Sequence, residues 1–327
     1  MGKGLTDLFG RVHKDFRISV TDRCNFRCQY CMPEEGLDWL KREELLSFEE
    51  ITRITKILVE NYGINSVRLT GGEPTLRANL SDLISMLSKL PIEIALTTNG
   101  ISLDKNAHNF RSAGLHRVNI SIDSLKAERF KEITLRDDMK KVITGIEASI
   151  EAGLSPVKIN VVVMRGISDD EIIGFAKFGR ERGVIVRFIE FMPLDADEKW
   201  STLSVVSLEE IFSTINSVYP LEVVKRSNAP ASRFRYVDGQ GEIGIVASVT
   251  QKFCDTCDRI RITADGQFRN CLFSNEEFDL KEALRSESSD KEICELLEMA
   301  VSAKREGHGI GNVDFIRPAR SMSQIGG

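Results

Sequence analysis

Cys24, Cys28 and Cys31 stand in a C-x3-C-x2-C triplet directly behind a short apolar stretch, Phe16-Arg17-Ile18-Ser19-Val20. Three thiolates on one tight loop can hold three corners of a cubane iron-sulfur cluster and leave one iron without a protein ligand, open to a small molecule. The competing reading is a structural zinc site. Zinc normally takes four ligands, however, and no fourth Cys or His follows at zinc-ribbon spacing. His13, upstream, is the only nearby candidate, so spacing favours a cluster over zinc.

A second triplet, Cys254, Cys257 and Cys271, again lacks a fourth ligand. By itself its C-x2-C start fits a redox dithiol, half a zinc ribbon or a cluster site about equally well. The two triplets take all but one of the chain's seven cysteines, and no disulfide is expected in a reducing compartment. The remaining one, Cys294, lies in a helical pattern over 292–305 and reads as a small buried apolar residue.

Between residues 15 and 194 apolar strand-like runs alternate with amphipathic helical stretches, the signature of a parallel sheet covered by helices. Strands are expected at 16–20, 66–70, 92–97, 117–122, 157–164 and 184–191. Helices are expected at 47–62, opened by the capping box Ser47-x-x-Glu50, and at 79–90, 105–113, 140–152 and 169–182. Gly63, Gly114, Gly153 and Gly183 follow several of them as C-caps would. Successive βα units of this kind predict an α/β fold, a partial (β/α)6 barrel, with its chemistry at the C-terminal strand ends. The Cys24 loop, Gly71-Gly72-Glu73-Pro74, Thr97-Thr98-Asn99-Gly100 and Met192-Pro193 all fall at such ends.

A polar linker is expected at 195–199, after which the rhythm changes. A helix at 208–215 precedes short strands at 221–225, 233–237 and 244–248 and a hairpin of 259–263 with 267–271, turning at Asp265-Gly266. Two domains are predicted: residues 1–200, and a smaller α+β C-terminal domain, 201–327, carrying the second triplet. The glycine-rich end from residue 307 has the composition of a frayed tail.

The net charge of -5 over 327 residues carries no whole-chain signal for nucleic acid or anionic membrane. No leader-like or membrane-spanning run is present in the sequence, and a cytoplasmic location is expected; the short M-G-x-x-x-[ST] match at residues 1–6 lacks an adjacent basic cluster. An anionic substrate must therefore be held by local basic residues. Arg17, Arg68 and Lys158 lie in otherwise apolar strands, where an unpaired charge facing a core is costly, so a strand face turned to an anionic ligand accounts for them better. Arg259 and Arg261 are two apart and share a face, and Arg187 is a further phosphate candidate.

The segment Cys24-Asn-Phe-Arg-Cys28-Gln-Tyr30-Cys31 resembles the hallmark of the radical S-adenosylmethionine (SAM) enzymes, and Gly71-Gly72-Glu73-Pro74 resembles their motif that meets the amino group of SAM. The run from Phe253 through Cys254, Cys257, Arg259, Arg261 and Cys271 to Leu272 is similar to the second-cluster motif of the GTP 3',8-cyclase family of molybdenum cofactor biosynthesis, and the terminal Gly-Gly matches as well. Residues 304–311 are richer in glycine than the family pattern.

The resemblance implies two 4Fe-4S clusters, one on Cys24, Cys28 and Cys31 that binds SAM and one on Cys254, Cys257 and Cys271 that holds the guanine of GTP. It implies SAM contacts at Tyr30, Gly72, Ser121 and Met192, GTP contacts at Arg17, Arg68, Thr98, Lys158, Arg259, Ile260 and Arg261, and an active-site tail at Gly326 and Gly327. No catalytic side chain beyond the cluster and substrate ligands is implied. The implied reaction takes hydrogen from C3' of the GTP ribose and joins that carbon to C8, giving (8S)-3',8-cyclo-7,8-dihydroguanosine 5'-triphosphate, while SAM is cleaved to 5'-deoxyadenosine and methionine. An electron donor and a downstream cyclic pyranopterin monophosphate synthase are the implied functional partners, and the chain is expected as a monomer or homodimer. A radical SAM peptide-modifying enzyme is the alternative; it predicts more C-terminal cysteines and needs no arginine set. A non-catalytic electron carrier or zinc-stabilised module is a third class, separable by metal content.

Overall fold

Alternation sets the first strand. In β1 (Asp15–Ser19) Phe16 and Ile18 are fully buried in the hydrophobic core while Asp15 and Arg17 point to the other face. The computed structural model of the chain describes residues 4–33, 35–195, 200–225, 228–286, 288–312 and 315–326. Most of the expected linker, from residue 196, lies outside the described residues, as do residues 1–3 and Gly327.

All six expected strands are present. β1, β2 (Ser66–Thr70), β3 (Glu93–Thr98), β4 (Arg117–Ser121), β5 (Val157–Val163) and β6 (Ile185–Glu190) pair in parallel in chain order. Their connections carry α1 (Phe48–Tyr62), α2 (Leu80–Leu87), α3 (Leu103–Ala113), α4 (Ala127–Thr134), α5 (Met139–Glu151) and α6 (Ile172–Arg182). The Ser47 hydroxyl accepts from the Glu50 N–H and the Glu50 carboxylate accepts from the Ser47 N–H, so α1 begins where the sequence pattern places it. It ends on Gly63 at φ 67°. Helix α4 has no counterpart among the expected elements; its polar sequence hides a buried stripe of Phe130, Ile133 and Thr134.

The remaining elements are α7 (Leu208–Asn216), β7 (Leu221–Val223), β8 (Ser232–Tyr236), β9 (Glu242–Val246), β10 (Arg259–Ile262), β11 (Gln267–Arg269), β12 (Phe278–Asp279), α8 (Leu280–Arg285), α9 (Asp290–Ser302) and α10 (Met322–Ile325). Their strands do not form a sheet of their own. β9 pairs in parallel with β6, and β10 in parallel with β1, so that one sheet runs β12-β11-β10-β1-β2-β3-β4-β5-β6-β9-β8-β7. The expected hairpin turns at Gly266, at φ 83°, but its second strand stops at Arg269 and leaves Cys271 beyond it. One helical turn, α10, stands where composition alone suggests a frayed end.

Arg17, Arg68, Thr97, Ser121, Asn160 and Arg187, one from each of the first six strands, line a single cavity. The sheet therefore curls around that space as a partial barrel, and its outermost strands, β12 and β7, are not paired with each other. The β1 to β10 register, Asp15 opposite Arg259 and Ile18 opposite Ile262, places Cys254 and Cys257 at the end where β1 begins. The Cys24 loop stands at the end where β1 leaves.

Candidate active site between two cysteine triplets

The Cys24 loop is laced to its surroundings by main-chain bonds. Arg27 N–H donates to the Thr134 carbonyl at 3.0 Å and Gln29 N–H to the Ile133 carbonyl at 3.1 Å, which docks the loop on the end of α4. Phe26 packs edge-on against Phe130 with ring centroids 5.7 Å apart. The motif at the end of β2 closes on the same loop: Gly72 N–H donates to the Thr21 carbonyl at 2.8 Å, and Glu73 N–H to the Arg23 carbonyl at 2.7 Å. A Cβ at Gly72 would stand 2.4 Å from the Asp22 carbonyl oxygen, so only glycine lets the two segments approach this closely.

Two buried carboxylates orient this end of the cavity. Glu73 accepts from the Thr98 hydroxyl at 2.7 Å and from the Asn99 N–H at 2.7 Å, and burial raises its pKa above the ordinary carboxylate range. Asp123 accepts from the Tyr30 hydroxyl at 2.5 Å and from the Val162 N–H at 2.8 Å, and burial pushes it up to about 6.

Cations fill the space between the triplets. Arg17, Arg68, Arg187, Arg259 and Arg261 line a cavity of ≈ 310 Å³. Lys158 and Arg117 do not line it but couple electrostatically to Arg187. Asp15 is 3.9 Å from both Arg17 and Arg68, and Arg117 pairs with Glu93. Burial and the positive charge of Arg187, Arg117 and Arg68 hold Lys158 down to about 7; burial, Arg117 and Arg17 hold Arg187 down to about 10. Buried Nε of Arg17, Nε of Arg68 and Nη1 of Arg117 have no hydrogen-bond partner. Each such donor costs about 1–3 kcal/mol, which an anion with several oxygens would relieve.

All six cysteines line this one cavity, and none is in a disulfide. Burial raises Cys24 to about 11 and Cys31 to about 12, whereas at Cys257 the charges of Arg259 and Lys304 overcome burial and bring it down to about 7. From the tail, the Ser323 N–H bonds the Cys31 sulfur, Met322 joins the cavity wall, and the Gly326 carbonyl accepts from Arg261 Nη1 at 2.9 Å. Arg320 anchors that tail on Asp265 at 2.8 Å and Glu277 at 2.9 Å.

Residues 18–179 match the family model described as Radical SAM superfamily, and residues 184–310 match Molybdenum Cofactor Synthesis C. The GTP 3',8-cyclase of Corynebacterium glutamicum is 46% identical to this chain over 99% of it and 89% of the relative. That of Streptomyces coelicolor is 45% identical over 99% and 96%. The chain belongs to the GTP 3',8-cyclase family. Among solved structures, anSMEcpe with bound AdoMet superimposes with a TM-score of 0.60 at 15% identity, covering 94% of this chain and 89% of that one. SuiB of Streptococcus suis bound to S-adenosylmethionine gives 0.61 at 14% identity over 86% and 67%. At such identities the likeness establishes the fold, a radical SAM partial barrel.

The family implies SAM and two 4Fe-4S clusters, and the donor sets fit them. Within each triplet the thiols act on one another electrostatically and face open space, as three soft ligands to one polynuclear group must. Among the described residues no three His, Cys, Asp or Glu side chains converge on a single metal-ion position.

The cavity brings together Tyr30, Gly72, Ser121 and Met192 near the first triplet, and Arg17, Arg68, Thr98, Arg187, Arg259 and Arg261 along its length. The Thr98 hydroxyl is committed to Glu73. Ile260, between Arg259 and Arg261, turns its side chain into the core at 0% exposure, as alternation requires, so it can meet a ligand only through its main chain. Gly326 is at Arg261, and Gly327 lies outside the described residues. Sequence reasoning passed over Asp123, Glu73 as an orienting group, Arg117 and Lys304. Only Arg117 carried a signal, a charge opening an apolar strand, like Arg17 and Arg68.

Proposed function

We propose that this chain converts GTP to (8S)-3',8-cyclo-7,8-dihydroguanosine 5'-triphosphate with cleavage of SAM to 5'-deoxyadenosine and methionine, the first step of molybdenum cofactor biosynthesis. The observation that carries this reading is the single cavity with a cysteine triplet at each end and buried, unpartnered guanidinium donors between them. Cys24, Cys28 and Cys31 would hold the first cluster, with Tyr30, Gly72, Ser121 and Met192 around SAM; Cys254, Cys257 and Cys271 would hold the second.

When bound, the first cluster and SAM supply a 5'-deoxyadenosyl radical that takes hydrogen from the substrate. The chain itself must place that substrate and keep water out. A triphosphate carries about four negative charges, and Arg17, Arg68, Lys158, Arg187, Arg259 and Arg261 are the groups to hold it, with Arg117 adding its charge. The Gly326 main chain would complete the wall. Residues 201–327 would form the unit that carries the second cluster.

An electron donor and a downstream cyclic pyranopterin monophosphate synthase complete the sequence of reactions, and the chain would act as a monomer or homodimer in the cytoplasm. No helix among the described residues is long and apolar enough to cross a membrane. Anaerobic incubation with GTP, SAM and dithionite is the test. The expected result is GTP-dependent 5'-deoxyadenosine with roughly eight iron per chain; 5'-deoxyadenosine formation indifferent to GTP would refute the assignment.

A further inference from the structure

Lys304 lies just past α9 and would ordinarily be a solvated charge near a helix C-terminus. It is 3% exposed. Its Nζ stands 2.8 Å from the Arg259 carbonyl, 2.9 Å from His13 Nε2 and 3.6 Å from Cys257 Sγ. Those are three acceptors for the three N–H bonds of an ammonium. His13 Nδ1 is 3.0 Å from the Leu5 carbonyl, which takes the ring N–H and leaves Nε2 as the lone-pair acceptor. Asp7 is 3.8 Å from that ring but is committed to Arg11, bonded at 2.6 Å. The anionic groups that act on Lys304 are the thiolates of Cys257 and Cys271.

The segment holding Lys304 is fixed from behind. Arg11 donates to the carbonyls of Cys254 at 3.0 Å, Glu306 at 2.7 Å and Arg305 at 2.7 Å, tying the amino-terminal residues and the 304–306 turn around the second triplet. Arg259 also bonds the Cys257 sulfur, but it lines the cavity and is claimed by the substrate phosphates. Lys304 is not part of the cavity wall, so its side-chain bond to Cys257, like that of the Arg259 main-chain N–H, is left in place by substrate.

We propose that Lys304 is a positioning residue for the second cluster, a permanent N–H donor to Cys257 Sγ, held by His13 and the Arg259 carbonyl, that raises the cluster's reduction potential. The proposal rests on the assignment of Cys254, Cys257 and Cys271 as ligands of that cluster. Hydrogen bonds to cluster sulfurs withdraw electron density and favour the reduced, more negative state. Lys304 bonds one ligand of the three and so makes the cluster's environment asymmetric.

The test uses the full chain, reconstituted anaerobically in a C24A/C28A/C31A background so that only the second cluster is present. Iron content and the electron paramagnetic resonance signal of the parent establish the cluster before any potential is read, and their absence would remove the ligand assignment and this proposal together. Redox titration of Lys304→Met should give a lower midpoint potential than the parent, and Lys304→Arg should recover most of the difference. Equal potentials in Lys304→Met and the parent, with iron retained, overturn the proposal. Should Lys304→Met not fold, the chain without a Lys304 substitution, grown with 15N-lysine, decides instead: a weak 15N coupling to the reduced cluster supports the contact, and its absence rejects it.

Discussion

Arg261 donates from Nη1 to the carbonyl of Gly326 across 65 residues of sequence, at 2.9 Å. A group proposed to hold triphosphate is thereby also the group that holds the tail. Gly326 sits at φ 85°, and a Cβ there would be 2.9 Å from Ser19 Cβ and 3.1 Å from Thr70 Cγ2. Gly326→Ala should therefore displace the tail at a cost of about 1–3 kcal/mol and lower kcat/KM for GTP about tenfold or more. Iron content should be unchanged. A fully active Gly326→Ala enzyme would show that the tail contact is dispensable.

On the proposed assignment the two triplets divide the labour. Cys24→Ala should abolish 5'-deoxyadenosine formation, because SAM then has no cluster to bind. Cys271→Ala should impair GTP binding and cyclisation while some uncoupled SAM cleavage survives. Product analysis of both variants checks this, and equal loss of 5'-deoxyadenosine in the two contradicts it.

The strands, the first triplet and most of the arginines were legible in the sequence for one reason: each is a local pattern, whereas the second triplet was decided only by its resemblance to a family motif. Arg17 between Phe16 and Ile18 reads as a charge on the inner face of an apolar strand, and that is where it lies. The pairing of β10 with β1 and of β9 with β6 was not legible, because it joins segments far apart in sequence that carry no mark of their partners. Helix α4 was missed because Ala127–Thr134 spreads its few apolar residues among charges. Lys304 was missed because burial, which gives it meaning, cannot be read from one lysine after a helix.

In its proposed role as a triphosphate contact, Lys158 links pH to substrate. In the folded chain it is held down to about 7 by burial and by Arg187, Arg117 and Arg68, against an ordinary value of 10.5. Between these values the unfolded chain keeps the proton that the folded chain has lost, so this group's contribution to stability rises with pH across that window, and its penalty is complete below about 7. Triphosphate reverses the depression. Binding of GTP near pH 8 should then take up a proton, seen as a binding enthalpy that depends on buffer ionisation. Lys158→Met should abolish that uptake and weaken GTP binding about tenfold; uptake of the same size in this variant would place the titrating group elsewhere.

Asp15 serves Arg17 and Arg68 as counter-charge, 3.9 Å from each. Asp15→Asn leaves two buried guanidiniums without it, and loss of one partner from a buried pair costs about 3–5 kcal/mol. The expected outcome is a Tm lowered by several degrees in the substrate-free enzyme and a larger GTP-induced rise in Tm than in the parent. A variant with unchanged Tm and an unchanged GTP response would mean that solvent already neutralises the pair.

Strand β1 has the Cys24 loop at the end where it leaves and, through its register with β10, Cys254 and Cys257 at the end where it begins. Five residues of extended chain thus act as a ruler between the two cysteine triplets proposed to hold clusters. A substrate that must touch both is measured against that length, and a one-residue slip between β1 and β10 would change the reading without altering a single ligand. Selectivity for a nucleotide over a shorter or longer anion is, on this view, partly a matter of strand length.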